Sequence, residues 1–466
     1  MIIGRKHEQK ILKKLVNSNK SEFAAIYGRR RVGKTYLIRN YFNKNFSFQF
    51  TGLANSTLPD QLANFHFAIK NQFSSFNDKK PESWLEAFYQ LQNSIGAESS
   101  IKKIIFIDEM PWLDTPRSGF LPAFESFWNS WASARKDILL IACGSATSWI
   151  INNLINNHGG LHNRVTQRIT IEPFTLNETL EFFKWKKIKL SLYNTIEIYM
   201  ALGGIPFYLE QIEKGKSAAQ NIDYLIFNER GTLRNEFNNL LPSLFKNSEN
   251  HFKVLKALGK TKSGLNRETL LSKAKMTNGG TATKVLEELE QCGFIKKYTP
   301  IHKKLRESLY QVIDPFTLFY FNYIDDKSIT EGDWTSINGS QKFHAWAGYA
   351  FELVCLLHVK QIKQALGISA VSTQIGSWHN KNAQIDLIID RRDGIINLIE
   401  IKFSIDEFSI NRKYYENLRK KLHEFSEDTN SKKALHFTFI TMHGLKQNEY
   451  ALELVSNSLK AEQLFN

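Results

Sequence analysis

The chain has 466 residues, and its 61 Lys and Arg against 46 Asp and Glu give it a formal net charge of +15. At roughly 100 to 200 residues per domain, this length excludes a single small module and predicts about three or four domains. The 42% of hydrophobic and 13% of aromatic residues exclude a largely disordered chain and predict packed cores.

Residues 1–172 alternate short apolar runs with longer amphipathic stretches. This rhythm is typical of a parallel sheet whose strands are joined by helical crossovers. We predict strands over residues 23–27, 46–50, 103–108, 138–143 and 168–172, and helices over residues 58–73, 84–95 and 120–134. A doubly wound α/β domain is therefore expected over residues 1–172.

A glycine-rich segment follows the first predicted strand and precedes a predicted helix. Residues 28–35 read GRRRVGKT, which fits the GxxxxGK[ST] pattern completely. Backbone N–H groups of such a loop wrap phosphates, Lys34 reaches the outer phosphates and Thr35 can ligate Mg²⁺. The residues predicted to bind ATP here are Gly28, Arg29, Arg30, Arg31, Val32, Gly33, Lys34, Thr35 and Tyr36.

The predicted strand 103–108 ends in an acidic pair, Asp108 and Glu109. An acid at a strand tip can hold the Mg²⁺ shell from the side opposite Thr35. Glu109 can then polarise the attacking water as a general base. Such a pair is often only a solvated turn, but beside a complete phosphate-binding loop it predicts ATP hydrolysis.

These motifs resemble a family of ATPases, common in archaea and bacteria, that pair an AAA+-like, STAND-related P-loop domain with a C-terminal domain of unassigned function. The matching segments are IGRKHE at residues 3–8, GRRRVGKT at 28–35, DEMPWL at 108–113, GS at 144–145 and GGIP at 203–206. The resemblance covers essentially the whole chain and is most specific in the ATPase part.

The resemblance implies roles for residues outside the phosphate-binding loop. Gly4 and Arg5 would lie near the adenine end of the nucleotide, and Ser145 would take the sensor position near the γ-phosphate. Pro206 would contact the nucleotide from a helical lid over residues 173–248. A simple helix break is the alternative for Pro206, because Gly and Pro interrupt helices anyway.

Arg164 resembles the arginine that senses the γ-phosphate, with Arg168 as the second choice. In that family the residue can act from a neighbouring subunit, so the resemblance implies a homo-oligomer. The alternative is an ordinary surface charge in a loop before a strand.

Residues 249–314 follow the plan of a winged helix. We predict helices over 251–258, 267–274 and 281–292, and then strands over 293–298 and 308–313 around a basic loop. Residues 251–310 hold 13 Lys and Arg against 5 Asp and Glu, so this segment alone has a net charge of +8. The excess charge is concentrated here.

Exposed cations on a winged helix suit phosphate contacts that orient a protein on duplex DNA. Three alternatives stay open: the winged helix contacts a protein, it separates two domains as a spacer, or its charges merely form a solvated face. The residues predicted to bind DNA are Thr281, Thr283 and Lys284 at the start of the third helix and Lys296, Lys297, Lys303, Lys304 and Arg306 around the wing.

Residues 315–466 contain two apolar strands, 384–389 and 398–402, joined by a turn. Glu400 and Lys402 point to the same face at the strand period of two, and Asp386 on the neighbouring strand can face the same pocket. Glu352 lies upstream in a helical segment, 346–358. These positions resemble the D…ExK pattern of the restriction-endonuclease-like fold.

That resemblance implies a hard divalent cation held by Glu352, Asp386 and Glu400, with Lys402 activating water for attack on phosphorus. Two alternatives stay open. One is an active Mg²⁺-dependent nuclease, and the other is an inactive nuclease-like domain for binding or dimerisation.

Cys143, Cys292 and Cys355 lie far apart without a CxxC pair, which is typical of a reducing compartment. The N-terminus has no apolar core of a signal peptide, and no uncharged apolar stretch of about 18 residues occurs. We expect a cytoplasmic protein without a membrane partner.

The sequence therefore predicts an α/β protein with a P-loop NTPase parallel sheet, a helical lid, a winged-helix domain and a C-terminal restriction-endonuclease-like α/β domain. Its function is predicted as an AAA+/STAND-like switch that binds and hydrolyses ATP with Mg²⁺, binds duplex DNA and carries a nuclease-like domain. The alternative is a non-cleaving, nucleotide-gated regulator or scaffold that binds protein partners.

Overall fold

The computed structural model describes residues 1–157, 159–245, 247–261, 264–325 and 330–466. The chain divides into two units, Met1–Pro173 and Phe174–Asn466. Within the described ranges, no helix combines the length and the apolar character needed to cross a bilayer.

The first unit contains a five-stranded parallel sheet in the order β2-β3-β4-β1-β5. Two predicted strands, 103–108 and 138–143, have the expected bounds, and the α/β class is confirmed. The strands are β1 (Glu22–Tyr27), β2 (Phe48–Thr51), β3 (Lys103–Asp108), β4 (Ile138–Cys143) and β5 (Gln167–Thr170). The helices are α1 (Lys6–Val16), α2 (Lys34–Tyr41), α3 (Leu58–Gln72), α4 (Trp84–Ile95), α5 (Phe120–Phe127) and α6 (Thr147–Ile150).

An aromatic core holds α3, α4 and α5 against the sheet. The rings of Phe65 and Trp84 are 5.6 Å apart, and those of Trp84 and Phe120 are 5.1 Å apart. All three side chains are almost fully buried. Such edge-to-face pairs add to the stability gained from burial alone. This core fixes the sheet whose strand ends carry the predicted nucleotide site.

The second unit begins with helices. They are α7 (Leu176–Trp185), α8 (Leu192–Leu202), α9 (Pro206–Leu209), α10 (Ala218–Ile222) and α11 (Glu236–Leu244). The N-terminus of α7 is satisfied by His358, whose Nε2 accepts from the Leu176 N–H at 2.9 Å. Burial lowers the pKa of His358 to about 4, so this ring is a neutral acceptor near pH 7.

Next come three helices and a small sheet in the order β6-β8-β7. Strand β6 was not predicted, because it has only two residues and no alternating pattern. The elements are α12 (Glu249–Gly259), β6 (Leu265–Asn266), α13 (Arg267–Lys273), α14 (Gly280–Gln291), β7 (Ile295–Tyr298) and β8 (Leu309–Val312). We call these elements the helix–hairpin module.

The C-terminal part contains a mixed sheet in the order β13-β12-β11-β10-β9. In the described residues of this part, four helices precede the sheet in the chain, and two more lie between its last three strands. Strands β9, β10 and β11 are antiparallel, whereas β11, β12 and β13 are parallel. The helices are α15 (Pro315–Tyr323), α16 (Asp333–Ile337), α17 (Gln341–Leu357), α18 (Val359–Ala365), α19 (Arg412–Thr429) and α20 (Glu449–Leu454). The strands are β9 (Thr373–His379), β10 (Gln384–Arg391), β11 (Ile395–Lys402), β12 (Ala434–Thr441) and β13 (Val455–Lys460).

Candidate functional site

The glycine-rich loop connects β1 to α2, as its motif requires. Gly28 has φ 138°, and a Cβ there would lie 2.2 Å from the carbonyl oxygen of Ile171. Only glycine fits that approach. Gly33 caps α2 with φ 88°, which also favours glycine. The loop therefore closes tightly at the point where α2 begins.

Lys34 lies inside this loop with only 6% of its surface exposed. Its Nζ donates to the carbonyl oxygens of Gly28 at 2.8 Å and Arg29 at 2.9 Å. The ammonium group is thus held at the mouth of the loop by neutral acceptors. A phosphate oxygen offers a stronger, charge-assisted partner at the same place.

Thr35 and Asp108 meet across the strand ends. The Thr35 hydroxyl donates to Asp108 Oδ2 at 2.8 Å, and the Glu109 N–H donates to Asp108 Oδ1 at 3.1 Å. Asp108 is 3% exposed. A hydroxyl and a carboxylate oxygen are the hard donors that suit Mg²⁺, which takes its remaining ligands from phosphates and water. These donors fit the predicted ion.

Glu109 is tied to the end of the neighbouring strand. Its Oε2 accepts from the Ser145 hydroxyl at 2.9 Å and from the Ser145 N–H at 3.1 Å. Gly144 allows this arrangement, because a Cβ there would lie 2.5 Å from Cδ of Pro111 in the turn after Glu109. The sequence suggested both Glu109 and Ser145, but not the bond between them.

The N-terminal segment lies against the same loop. Arg5 is buried, and its Nη2 donates to the Val32 carbonyl at 3.1 Å. The exposed Tyr36 donates its hydroxyl to the Met1 carbonyl at 3.0 Å. The Gly4 carbonyl accepts from the side chain of Gln9 at 2.9 Å. The structure therefore brings Arg5 next to the loop, and contact of Gly4 and Arg5 with adenine stays a prediction.

The remaining residues that the sequence predicts to contact nucleotide lie on the loop, before β5 and on α9. Arg30 and Arg31 are partly exposed on the loop, and Arg31 has φ 71°. Arg164 is exposed in the turn before β5, so an action on a neighbouring subunit stays a prediction. Pro206 is the first residue of α9 in the second unit, and its nucleotide contact stays a prediction too.

The predicted DNA-binding residues are all exposed on the helix–hairpin module. Thr281, Thr283 and Lys284 lie in the first turns of α14. The Thr283 hydroxyl is already engaged, because it accepts from Arg267 Nη2 at 2.8 Å and donates to the Gly279 carbonyl at 3.2 Å. The cations outside α14 are Lys296 and Lys297 on β7 and Lys303, Lys304 and Arg306 in the β7–β8 loop.

The β7–β8 loop is anchored to the C-terminal sheet by one buried side chain. Its Ile301 is 2% exposed and belongs to the core of the C-terminal sheet with Trp378 and Phe425. The Ile301 N–H donates to the Ser377 carbonyl at 3.0 Å. The predicted exposure of Lys303, Lys304 and Arg306 is found, but the burial of Ile301, which fixes the loop, was not predicted.

The D…ExK residues come together in the C-terminal sheet. Glu400 is 1% exposed, and Lys402 Nζ lies 3.0 Å from its Oε1. Two residues of α19 also contact this carboxylate. Lys421 Nζ donates to Oε2 at 2.8 Å and to Oε1 at 3.1 Å, and the Tyr414 hydroxyl donates to Oε1 at 2.5 Å. We call Glu352, Asp386, Glu400, Lys402, Tyr414 and Lys421 the C-terminal charged cluster.

The pKa values in this cluster move in opposite directions. Burial raises the pKa of Glu352 to about 8, and the charge of Asp386 adds to that rise. Burial and the charge of Glu400 also raise the pKa of Asp386. Burial works in the same direction at Glu400, but Lys402 and Lys421 outweigh it and lower the pKa of that carboxyl. Glu400 is therefore the ionised carboxylate that the two lysines neutralise.

The sequence predicts a metal site formed by Glu352, Asp386 and Glu400. In the part of the chain that the structure describes, no group of three or more His, Cys, Asp or Glu side chains is placed to hold a metal ion. Lys402 and Lys421 contact the two oxygens of Glu400. The metal role of Glu352, Asp386 and Glu400 stays a prediction.

Tyr414 and Lys421 were not predicted as site residues, because no helix was assigned to residues 412–429 from the sequence. A signal was present, since Tyr414, Leu418, Lys421 and Phe425 follow the spacing of one helix face. The charges of the intervening residues obscured it.

Two parts of the chain match models of known protein families. Residues 3–212 match a model described as an ATPase domain predominantly from Archaea. Residues 319–425 match a model that describes archaeal and bacterial proteins of unknown function. The resemblance inferred from the motifs is confirmed at the level of these two domains.

Over 430 residues, the chain is 26% identical to an uncharacterized protein of Methanocaldococcus jannaschii, a match that covers 90% of this chain and 92% of that protein. Among solved structures, the Walker-type ATPase of Pyrococcus abyssi is 18% identical, with a TM-score of 0.49 over 69% of this chain and 96% of that one. The ORC2 protein of Aeropyrum pernix is 13% identical, with a TM-score of 0.34 over 74% and 95% of the two chains.

Proposed function

Because the chain combines a predominantly archaeal type of ATPase domain with a C-terminal domain of unknown function, we propose that it is an ATP-hydrolysing switch that contacts duplex DNA. The observation that carries the ATP part is the 2.8 Å bond between Thr35 and Asp108, which aligns two oxygen donors beside Lys34. Thr35 and Asp108 would hold Mg²⁺, which neutralises phosphate charge when it is bound.

Lys34 provides the fixed charge for the phosphates. It donates to two neutral carbonyl groups, those of Gly28 and Arg29. Exchange of these acceptors for phosphate oxygens gives shorter and stronger charge-assisted bonds. Binding of ATP would therefore release the Gly28 and Arg29 carbonyl groups from Lys34.

Glu109 is the proposed general base, and Ser145 controls its position. Two donors of Ser145 hold one oxygen of Glu109, and the other oxygen remains to accept a proton from water. A terminal phosphate near Ser145 competes for the same hydroxyl, which would loosen one of the two bonds. Occupancy of the site and orientation of the base are thereby linked.

The metal-binding role of Thr35 is tested by a pair of substitutions. Thr35→Ala removes the hydroxyl and should lower Mg²⁺-dependent phosphate release from ATP at least about tenfold, because Asp108 alone then holds the ion. Thr35→Ser keeps the oxygen and should remain close to wild type. Equal rates for the two variants in a phosphate-release assay would remove Thr35 from the metal shell.

The DNA part of the proposal is supported by the +8 segment and by the exposure of its lysines on the helix–hairpin module. Exposed cations on one module attract phosphates irrespective of sequence. The same charges would also attract an acidic protein partner. DNA binding is therefore measured directly, and its salt dependence reports the number of phosphates that are contacted.

Replacing both Lys303 and Lys304 with alanine should weaken binding to all duplexes alike. Each lysine that meets a phosphate releases counterions, so the slope of log affinity against log salt should flatten by up to about two. Fluorescence anisotropy with two unrelated duplexes measures both effects. An unchanged titration would move the DNA contact away from this loop.

For the C-terminal charged cluster, we propose the non-cleaving alternative. The observation that favours it is the pairing of Glu400 with both Lys402 and Lys421. The Lys421 ammonium provides a cation of the protein's own at the carboxylate. The cluster then stabilises the fold of a binding domain and requires no divalent ion.

Replacing Lys421 with methionine should lower the unfolding stability of the full chain by about 1 to 3 kcal/mol, because buried Glu400 loses one of its two cations. Lys420→Met, at the exposed neighbour, should leave the urea midpoint unchanged. Without nucleotide, Mn²⁺ should not stabilise the wild-type chain, nor should the chain nick supercoiled DNA. Mn²⁺-dependent nicking that Glu400→Gln abolishes would establish the nuclease instead.

A further inference from the structure

A cleft of about 470 Å³ lies between the helix–hairpin module and the edge of the C-terminal sheet. Its positively charged lining comes from separate elements. Arg267 belongs to α13, Lys303 and Arg306 to the β7–β8 loop, and His379 to the edge strand β9. His379 closes from the C-terminal sheet a cleft whose other lining residues belong to the helix–hairpin module and its β7–β8 loop.

The contact between the loop and the sheet gives the cleft a fixed wall. Ile301 is buried in the core of the C-terminal sheet, and its N–H donates to the Ser377 carbonyl on β9. Gly376 on the same strand leaves room for it, since a Cβ there would lie 3.0 Å from Ile301 Cγ1. The loop also covers part of the edge of β9, which would otherwise expose unpaired backbone groups.

The guanidinium group of Arg267 is oriented before any ligand arrives. Its Nε donates to Asn278 Oδ1 at 3.0 Å, and its Nη2 donates to the Thr283 hydroxyl at 2.8 Å. Both acceptors are neutral, so these bonds fix the orientation of the group without neutralising its charge. A planar, oriented guanidinium group suits two-point binding of a phosphate.

Two carboxylates also line the cleft, and they limit what it can bind. Glu307 accepts the Lys304 N–H at 2.9 Å at the start of a short helical turn. Glu268 lies in the first turn of α13. With three permanent cations against these two acids, the cleft has a small positive excess, which suits one singly charged phosphodiester better than a free polyphosphate.

We propose that this cleft binds a backbone phosphate of duplex DNA, with Arg267 and Arg306 as its ligands. DNA then contacts the helix–hairpin module and the edge of the C-terminal sheet together, rather than the start of α14 alone. This inference rests on the proposed DNA binding and adds the place where the backbone is held. Phosphate contacts of this kind position a protein on DNA and carry no sequence information.

The test uses the full chain without nucleotide and a short labelled duplex, titrated by anisotropy at several salt concentrations. Arg267→Gln and Arg306→Gln should each weaken binding about threefold to tenfold and reduce the salt slope by about one. Lys273→Gln removes one exposed charge from the same helix as Arg267, outside the cleft. It should bind as the wild type does.

A third variant moves the wall of the cleft without removing a charge. Gly376→Val should displace Ile301 and weaken DNA binding by a similar factor, while the far-ultraviolet circular dichroism spectrum stays that of the wild type. If the wild type binds DNA and the two arginine variants match it, or if Lys273→Gln weakens binding as much as they do, the cleft assignment is overturned. If the wild type does not bind DNA, the proposed DNA function falls as well.

Discussion

Replacing Glu109 with glutamine should leave ATP binding near the wild-type level and lower turnover at least about 100-fold. The amide has the size of the carboxylate and can still accept from Ser145, so the local structure should persist. It cannot take a proton from the attacking water, so the chemical step should stall. Phosphate release at saturating ATP and the Kd of a fluorescent ATP analogue measure the two effects separately.

The control for this variant is Glu82→Gln, at an exposed surface position away from the strand ends. It should turn over ATP at the wild-type rate. A Glu109→Gln protein that hydrolyses ATP as fast as the wild type would show that another group takes the proton.

Replacing Lys34 with alanine should weaken both ATP binding and turnover. The variant loses the buried ammonium group that is predicted to contact the outer phosphates. We expect a Kd at least about tenfold higher and turnover lower by at least about 100-fold. The same two assays distinguish this pattern from that of Glu109→Gln.

Lys13→Ala is the matched control, because Lys13 is an exposed lysine on α1 and its removal changes the net charge equally. Its binding and turnover should not change. A Lys34→Ala protein with wild-type ATP affinity would contradict the phosphate-binding role of the loop.

The ATPase part could be predicted well from the sequence for a physical reason. Strands buried on both faces of a parallel sheet read as continuous apolar runs, and β3 and β4 are of this kind. The phosphate-binding loop adds a motif in which glycine is required for steric reasons, as at Gly28. These features are all local in the sequence, and local patterns are sufficient to predict them.

The C-terminal part was predicted less completely, because its strands and its main helix carry mixed signals. Strand β9 lies at a sheet edge, and of its residues only Trp378 is buried, so it has no apolar run. Helix α19 is highly charged, and that charge hid the face that carries Tyr414 and Lys421. The pairing of Lys421 with Glu400 joins residues 21 positions apart, and no local pattern reports such a contact.

The docked loop illustrates the same limit. Ile301 is buried and Leu305 is exposed, yet both are aliphatic residues among the cations of the β7–β8 loop. The lysines of this loop predicted its exposed charge, which the structure shows. The anchoring of the loop depends on the tertiary burial of one side chain, which no local pattern reports.

The central claim, that bound ATP switches the contact with DNA, is tested most directly by one measurement on the Glu109→Gln chain, which should hold ATP without consuming it. Its affinity for a labelled duplex is measured with Mg²⁺ and either ATP or ADP, at fixed salt concentration. The account predicts at least a tenfold difference in Kd between the two nucleotides, equivalent to about 1.4 kcal/mol of coupling. The same affinity with ATP and with ADP, in a chain that demonstrably binds both, would contradict the account.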